Sequence, residues 1–237
     1  MKTVPLPTPD EVHVWFGTLA VEPQELARLQ RFLSPDERKR AERLLTPLLR
    51  ERFVAGRGFL RETLGSYLEL PPEEVVFAYG EHGKPYLPVE SGQGLSFNLS
   101  HGGDAVLLAV ARGRQMGIDI EKVRHDLPFQ AMASRYFSPR ERDELFGLPP
   151  DRQMHAFYRC WTRKEACLKG WGTGFSRPSD SLDIPFLTAD PTAIVMKHPH
   201  SGESGVWWIA DLPVPPGHLA ALAVTGDAPI IRSFRAT

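Results

Sequence analysis

Apolar residues at Leu49, Phe53, Gly56, Leu60, Leu64 and Tyr67 recur at steps of four, three, four, four and three, the period of one buried helical face. Upstream, Ser34-Pro35-Asp36-Glu37 sets Ser at an N-cap, Pro at the first helical position and Glu at the third, a capping box that predicts a helix start. That helix runs through Ala41, Leu44 and Leu45 to Thr46-Pro47, where the proline kinks it or opens a second helix. After Pro71-Pro72 the pattern changes to short β-rich runs at Val75 to Tyr79, Leu95 to Leu99, Val106 to Ala111 and Met116 to Ile120. Turn-length links between them predict antiparallel pairing. Helical patterns return at Pro128 to Phe137, at a second capping box, Ser138-Pro139-Arg140-Glu141, through Phe146, and at Asp151 to Lys169. Strands are then predicted around Thr192 to Met196, Val206 to Ala210, Leu219 to Val224 and near Ile230. Helices and small antiparallel sheets in both halves make an α+β layout, and neither an internal repeat nor a low-complexity segment stands out.

Composition narrows the class. The 237 residues are 42% hydrophobic and 24% charged with a formal net charge of −1, as in a globular chain long enough for one or two domains. No run approaches the roughly 18 apolar residues of a membrane span, and Met1 to Asp10 lacks the apolar stretch of a secretory signal, so the expected compartment is the cytoplasm. The near-neutral balance gives no ground for nucleic-acid or membrane binding by bulk charge; any basic site must be local. Such a patch exists between residues 28 and 61, where ten basic residues face four acids. Arg50, Arg57 and Arg61 share a stripe there, which suits either a solvated face or an anionic ligand. Cys160 and Cys167 lie seven apart on a predicted helix, roughly 10 Å along its axis, too far for a disulfide, and read as buried packing residues.

Three fragments carry chemistry. In Gly117-Ile118-Asp119-Ile120-Glu121 strand alternation puts Asp119 and Glu121 on one face, either a tolerated surface pair or oxygen ligands for a hard cation. On the helix from Asp151, Met154, Phe157, Trp161 and Leu168 form an apolar stripe in which Glu165 occupies a position that calls for Leu. A carboxylate so placed needs a partner; Lys169, one turn on, is one candidate and a metal shared with Asp119 and Glu121 is the other. Phe97-Asn98-Leu99-Ser100-His101-Gly102-Gly103 is a strand entering a glycine turn, either ordinary or suited to phosphate oxygens.

Gly83-Lys84-Pro85-Tyr86, Phe97-Asn98-Leu99-Ser100-His101, Gly117-Ile118-Asp119-Ile120-Glu121 and Trp161-Thr162-Arg163-Lys164-Glu165-Ala166-Cys167-Leu168-Lys169, in this order and spacing, closely resemble the 4′-phosphopantetheinyl transferases of the surfactin-synthetase-activating type over roughly residues 30 to 175. The resemblance implies two similar halves in pseudo-twofold arrangement, each with helices packed on a small antiparallel sheet, with the nucleotide in the cleft between them. The division is expected at residues 1–113, bearing the basic helices, and 114–237, bearing the metal carboxylates and carrier-protein contacts. It implies Mg²⁺ held by Asp119, Glu121 and Glu165, and coenzyme A contacted by Arg40, Arg52, Arg57, Lys84, Ser100, His101 and Lys169. Glu37 stands where a basic residue is expected near the 3′-phosphate, and serves the capping box instead.

The implied reaction transfers the phosphopantetheine group of coenzyme A to a serine of an apo acyl or peptidyl carrier protein, releasing 3′,5′-ADP. Glu165, Lys169 and His101 are the catalytic candidates, with Glu165 a candidate base and Lys169 and His101 giving electrostatic support. An acidic carrier calls for a basic surface with an apolar centre, for which Lys122-Val123-Arg124-His125 through Arg135-Tyr136-Phe137 is the candidate. A duplicated chain holds both half-sites and is expected to act as a monomer. The alternatives are a Mg²⁺-dependent phosphohydrolase acting on nucleotides and a non-catalytic coenzyme A or nucleotide-binding protein.

Overall fold

A computed structural model describes residues 4–80, 83–172, 182–197 and 204–236. The chain packs as two units, Met1–Gly113 with Ile231–Thr237, and Arg114–Ile230. The expected second half, 114–237, therefore differs from the second unit at its end, because the last strand hydrogen-bonds to the first strand of the chain.

The first unit contains strands β1 (Glu11–Thr18), β2 (Ala78–Tyr79), β3 (Pro85–Tyr86), β4 (Leu95–Gly102) and β5 (Ala105–Arg112), and helices α1 (Pro23–Phe32), α2 (Pro35–Glu42) and α3 (Pro47–Leu68). With the last strand, β10 (Ile230–Arg235), they give a four-stranded sheet of order β10-β1-β5-β4 and a separate β2-β3 pair. The neighbouring pairs β1–β5 and β4–β5 are antiparallel. Pro47 does open a new helix: Thr46 caps it by accepting from the Leu49 amide. The run expected at Val75 to Tyr79 extends only over Ala78–Tyr79, because Pro72–Glu74 forms a 3₁₀ turn before it. The strand β1 has no clear sequence pattern because, as a central strand, it buries both faces. Its polar residues Glu11 and His13 are 7% and 1% exposed. His13 Nδ1 pairs with the Tyr67 hydroxyl at 2.7 Å, and Phe234 of β10 stacks on Trp15.

The second unit contains β6 (Met116–Lys122), helices α4 (Phe129–Tyr136), α5 (Pro139–Phe146) and α6 (Pro150–Trp171), and strands β7 (Thr192–Lys197), β8 (Ser204–Asp211) and β9 (His218–Thr225). Its sheet runs β6-β9-β8-β7, all neighbours antiparallel. Cys160 and Cys167 are free and buried in α6, as their spacing requires. Phe137 is 1% exposed and stacks on Phe157, so it belongs to the core rather than to the carrier surface expected around it; Lys122, Arg124, His125 and Arg135 remain exposed.

The structure reveals an internal repeat that hydrophobic patterning hides. Both capping boxes form, at Ser34 and Ser138, and each precedes a 22-residue helix that begins at proline and ends on a left-handed residue, Glu69 in α3 and Gly172 in α6. In each box the third helical residue, Glu37 or Glu141, also reaches the fifteenth residue of the long helix. Glu37 Oε2 accepts from Arg61 at 2.6 Å and Glu141 Oε2 meets Lys164 Nζ at 2.8 Å. Carboxylates and cations alike are nearly fully buried, so each needs its partner to offset desolvation.

Candidate functional site

In the first unit, α2, α3 and the β4–β5 hairpin enclose a cavity of about 490 Å³, within the range of small-molecule sites. Its wall holds four of the expected nucleotide contacts, Arg40, Arg52, Arg57 and His101. Arg40 is exposed and lies over the Phe53 ring at 5.4 Å. Arg52 donates to Asp104 Oδ1 at 2.6 Å, which ties α3 to the turn beyond His101. Arg57 donates through Nε to Glu37 Oε1 at 2.8 Å and through its NH2 group to Glu37 and to the Tyr79 hydroxyl. Burial pushes the Glu37 carboxyl up, but Arg61 and Arg57 outweigh it and hold it below the ordinary carboxylate range.

The other two expected contacts in this unit lie differently. Ser100 and His101 are neighbours on β4, and a strand sends neighbours to opposite faces; His101 lines the cavity while Ser100 is 5% exposed and does not. Lys84 sits between two residues that line the cavity, Gly83 and Pro85, and its carbonyl accepts from the Gly80 amide. Sequence reasoning did not single out Asp104 and Tyr79, nor the role of Glu37 beyond its cap. Only the recurrence of Ser-Pro-x-Glu 104 residues apart signalled that Glu37 belongs to a repeated device.

In the second unit the three carboxylates come from β6 and α6. Gly117 makes this possible: a Cβ there would lie 2.1 Å from the Ala166 carbonyl, so only glycine lets the strand press against the helix backbone. Asp119 and Glu121, at alternate positions beyond Gly117, share its face toward Glu165 and Lys169. Asp119 is 3% and Glu165 9% exposed. Lys169 Nζ donates to Asp119 Oδ1 at 2.6 Å, so the ion partner of Lys169 is Asp119 rather than the Glu165 one turn back. Burial, then the charge of Asp119, pushes the Glu121 carboxyl up to about 7 despite Lys169 and a hydrogen bond from the Trp161 indole. Burial, Asp119 and Glu121 likewise carry Glu165 to about 7.

Three acids against one ammonium leave an excess of negative charge that a divalent cation would relieve. Among the described residues no three acidic, histidine or cysteine side chains converge into a ready-made metal cage. Mg²⁺ does not require one: it keeps several waters and commonly takes one or two carboxylates together with substrate phosphate oxygens. An all-carboxylate donor set therefore fits Mg²⁺ better than a softer metal.

Two family models match successive parts of the chain. The 4′-phosphopantetheinyl transferase superfamily model covers residues 115–213, and the model of the N-terminal part of a 4′-phosphopantetheinyl transferase covers residues 18–113. The 4′-phosphopantetheinyl transferase HetI of Nostoc is 38% identical over 92% of this chain and 89% of its own length. The chain belongs to the 4′-phosphopantetheinyl transferase superfamily. Within that superfamily, Sfp of Bacillus subtilis is 30% identical over 87% of this chain and 88% of Sfp. AcpT of Escherichia coli K12 is 41% identical over 52% and 58% respectively. As a 4′-phosphopantetheinyl transferase, the enzyme moves the phosphopantetheine group of coenzyme A to carrier proteins. Among the described residues no helix is long and apolar enough to cross a membrane.

Proposed function

We propose that this transferase joins the phosphopantetheine group to a serine hydroxyl of an apo acyl or peptidyl carrier protein, releasing 3′,5′-ADP, in a Mg²⁺-dependent reaction in the cytoplasm, as a monomer. The observation that carries the reading is the set of three acids around Lys169, Asp119 and Glu165 buried and Glu121 half-buried, with Glu121 and Glu165 pushed up to about 7 by burial and by the charge of Asp119. Asp119, Glu121 and Glu165 would hold Mg²⁺, which supplies charge neutralisation at the pyrophosphate as negative charge grows on the leaving group.

The chain's own residues do the rest. Lys169, anchored on Asp119, presents an ammonium to the phosphates, and His101 lines the cavity that takes the nucleotide. Arg40, Arg52 and Arg57 surround the same cavity, with Lys84 beside it and Ser100 behind His101 on the buried face of β4. Glu165 is a candidate acceptor of the serine proton, directly or through water. The exposed Lys122, Arg124, His125 and Arg135 form the basic surface offered to an acidic carrier.

The test is mass spectrometry of apo carrier proteins incubated with enzyme, coenzyme A and Mg²⁺. Addition of the phosphopantetheine mass is expected with the wild type and is lost in Asp119→Ala and Glu165→Ala, both of which should remain folded. Undiminished turnover by either variant removes the carboxylate assignment. Release of 3′,5′-ADP at full rate without carrier would instead make the enzyme a phosphohydrolase.

A further inference from the structure

We infer that Glu37 is a positioning residue and that the cation it positions, Arg57, reads a phosphate monoester on the nucleotide in the first unit's cavity. The inference rests on the proposed use of coenzyme A, which carries one phosphate monoester, on the ribose, besides its pyrophosphate.

The argument starts from charge. One buried carboxylate faces two guanidinium groups: Glu37 is 5% exposed at its side chain, Arg61 4% and Arg57 12%. The cluster thus carries one positive charge in excess, on the member that lines the cavity. The second unit shows that the second cation is not needed for the clamp. There Glu141 holds Lys164, the counterpart of Arg61, and the eleventh residue of the helix, the counterpart of Arg57, is the buried thiol Cys160. Arg61 is committed to structure, donating to the Pro72 and Val75 carbonyls as well as to Glu37.

Arg57 is also held in one orientation. Its Nε and one amino group are fixed by Glu37, that amino group also donates to Tyr79, and its guanidinium lies over the Phe77 ring at 5.0 Å. The remaining amino group is the one left to meet an anion. A guanidinium fixed on one edge is preorganised, so less rotamer entropy is lost when its other edge binds phosphate. The carboxylate at position 37 therefore does not oppose phosphate binding; it is neutralised twice over and aims the cation that binds.

The experiment measures dissociation constants of 3′,5′-ADP and 5′-AMP by calorimetry, with no carrier protein present, so the outcome does not depend on transfer. The wild type should prefer the nucleotide bearing the extra monoester. Arg57→Gln, which leaves the Glu37–Arg61 pair intact, should lower that preference about tenfold, the scale of one charge-assisted hydrogen bond. Arg57→Lys, keeping the charge without the fork, should fall between the two. Glu37→Gln keeps a capping-box side chain and should lower the preference several-fold. Glu141→Gln, the same change in the second unit, should leave it at the wild-type value. In the transfer reaction the effects of Arg57→Gln and Glu37→Gln should appear in the KM for coenzyme A more than in kcat. Equal weakening of both nucleotides by Arg57→Gln, or an unchanged preference in Glu37→Gln, overturns the inference. An intact preference in an enzyme that transfers nothing from coenzyme A would instead remove the proposed function.

Discussion

In both units a Ser-Pro-x-Glu turn clamps a 22-residue helix, yet Glu37 meets two guanidinium groups and Glu141 meets one ammonium. The second unit therefore shows what the clamp requires for stability, and the first shows what has been added to it. A second difference lies one residue further along each helix. Glu62, sixteenth in α3, makes a part-exposed ion pair with Arg28 at 2.6 Å. Glu165, sixteenth in α6, is buried beside two more carboxylates. The same helical position thus serves a surface contact in one unit and candidate metal chemistry in the other. What separates them is the close approach of β6 to α6 at Gly117.

The largest expected effect comes from the clamp with a single cation. Glu141→Ala strands Lys164, 2% exposed, and should cost about 3–5 kcal/mol in denaturant unfolding. Adding Lys164→Met should recover most of that loss; a double variant no more stable than the single would mean that the cost is not the stranded charge. Next is the glycine that divides the two helical environments. Gly117→Ala puts a Cβ against the Ala166 carbonyl and should cost about 1–3 kcal/mol while abolishing transfer. Gly56→Ala in α3 meets only Leu19 Cδ2 at 3.5 Å and should be neutral or stabilising by up to about 1 kcal/mol. Equal losses in the two glycine variants would erase the distinction between the units.

A pH series sharpens the contrast further. Glu121 and Glu165 have folded values of about 7 against an ordinary 4.5, so between those values the folded protein binds more protons than the unfolded chain. Their contribution to stability is fully present below about 4.5 and is lost as pH rises through about 7. In EDTA the melting temperature should fall across this window, and Glu165→Gln should flatten the fall. If the ionised carboxylates hold Mg²⁺ as proposed, the stabilising effect of added Mg²⁺ should grow with pH. A melting temperature in EDTA that is level in the wild type, or equally sloped in Glu165→Gln, would count against these shifts. The smallest effect is expected at the ion pair of Glu62, the surface counterpart of Glu165. Arg28→Ala should cost roughly 1 kcal/mol or less and leave transfer at the wild-type rate.

Much of the fold was legible because its signals are local. Both capping boxes, the α3 stripe and the strands β4, β5 and β6 follow from spacing within a few residues. The first strand was not, since Glu11 and His13 interrupt its apolar pattern and find their partners far away, at Arg232 and Tyr67. In the site, Glu165 stood out as a charge in an apolar stripe, and the carboxylate pair Asp119 and Glu121 as alternate residues on one strand. The two-cation clamp and the Arg52–Asp104 pair could not be read, because each joins residues 20 or more positions apart.

The amino-acid sequence alone determined the helices opened by the two capping boxes, the long apolar stripe of α3, the carboxylate Glu165 set in an apolar stripe, and the basic segment between residues 28 and 61. Those properties depend on periodicity and on side-chain chemistry at fixed spacing. Only the tertiary structure decided which cation answers which carboxylate. Lys169 goes to Asp119 and not to Glu165, and Glu37 pairs with both Arg57 and Arg61. Desolvation makes such pairings strong, and desolvation exists only once strand, helix and turn have packed together.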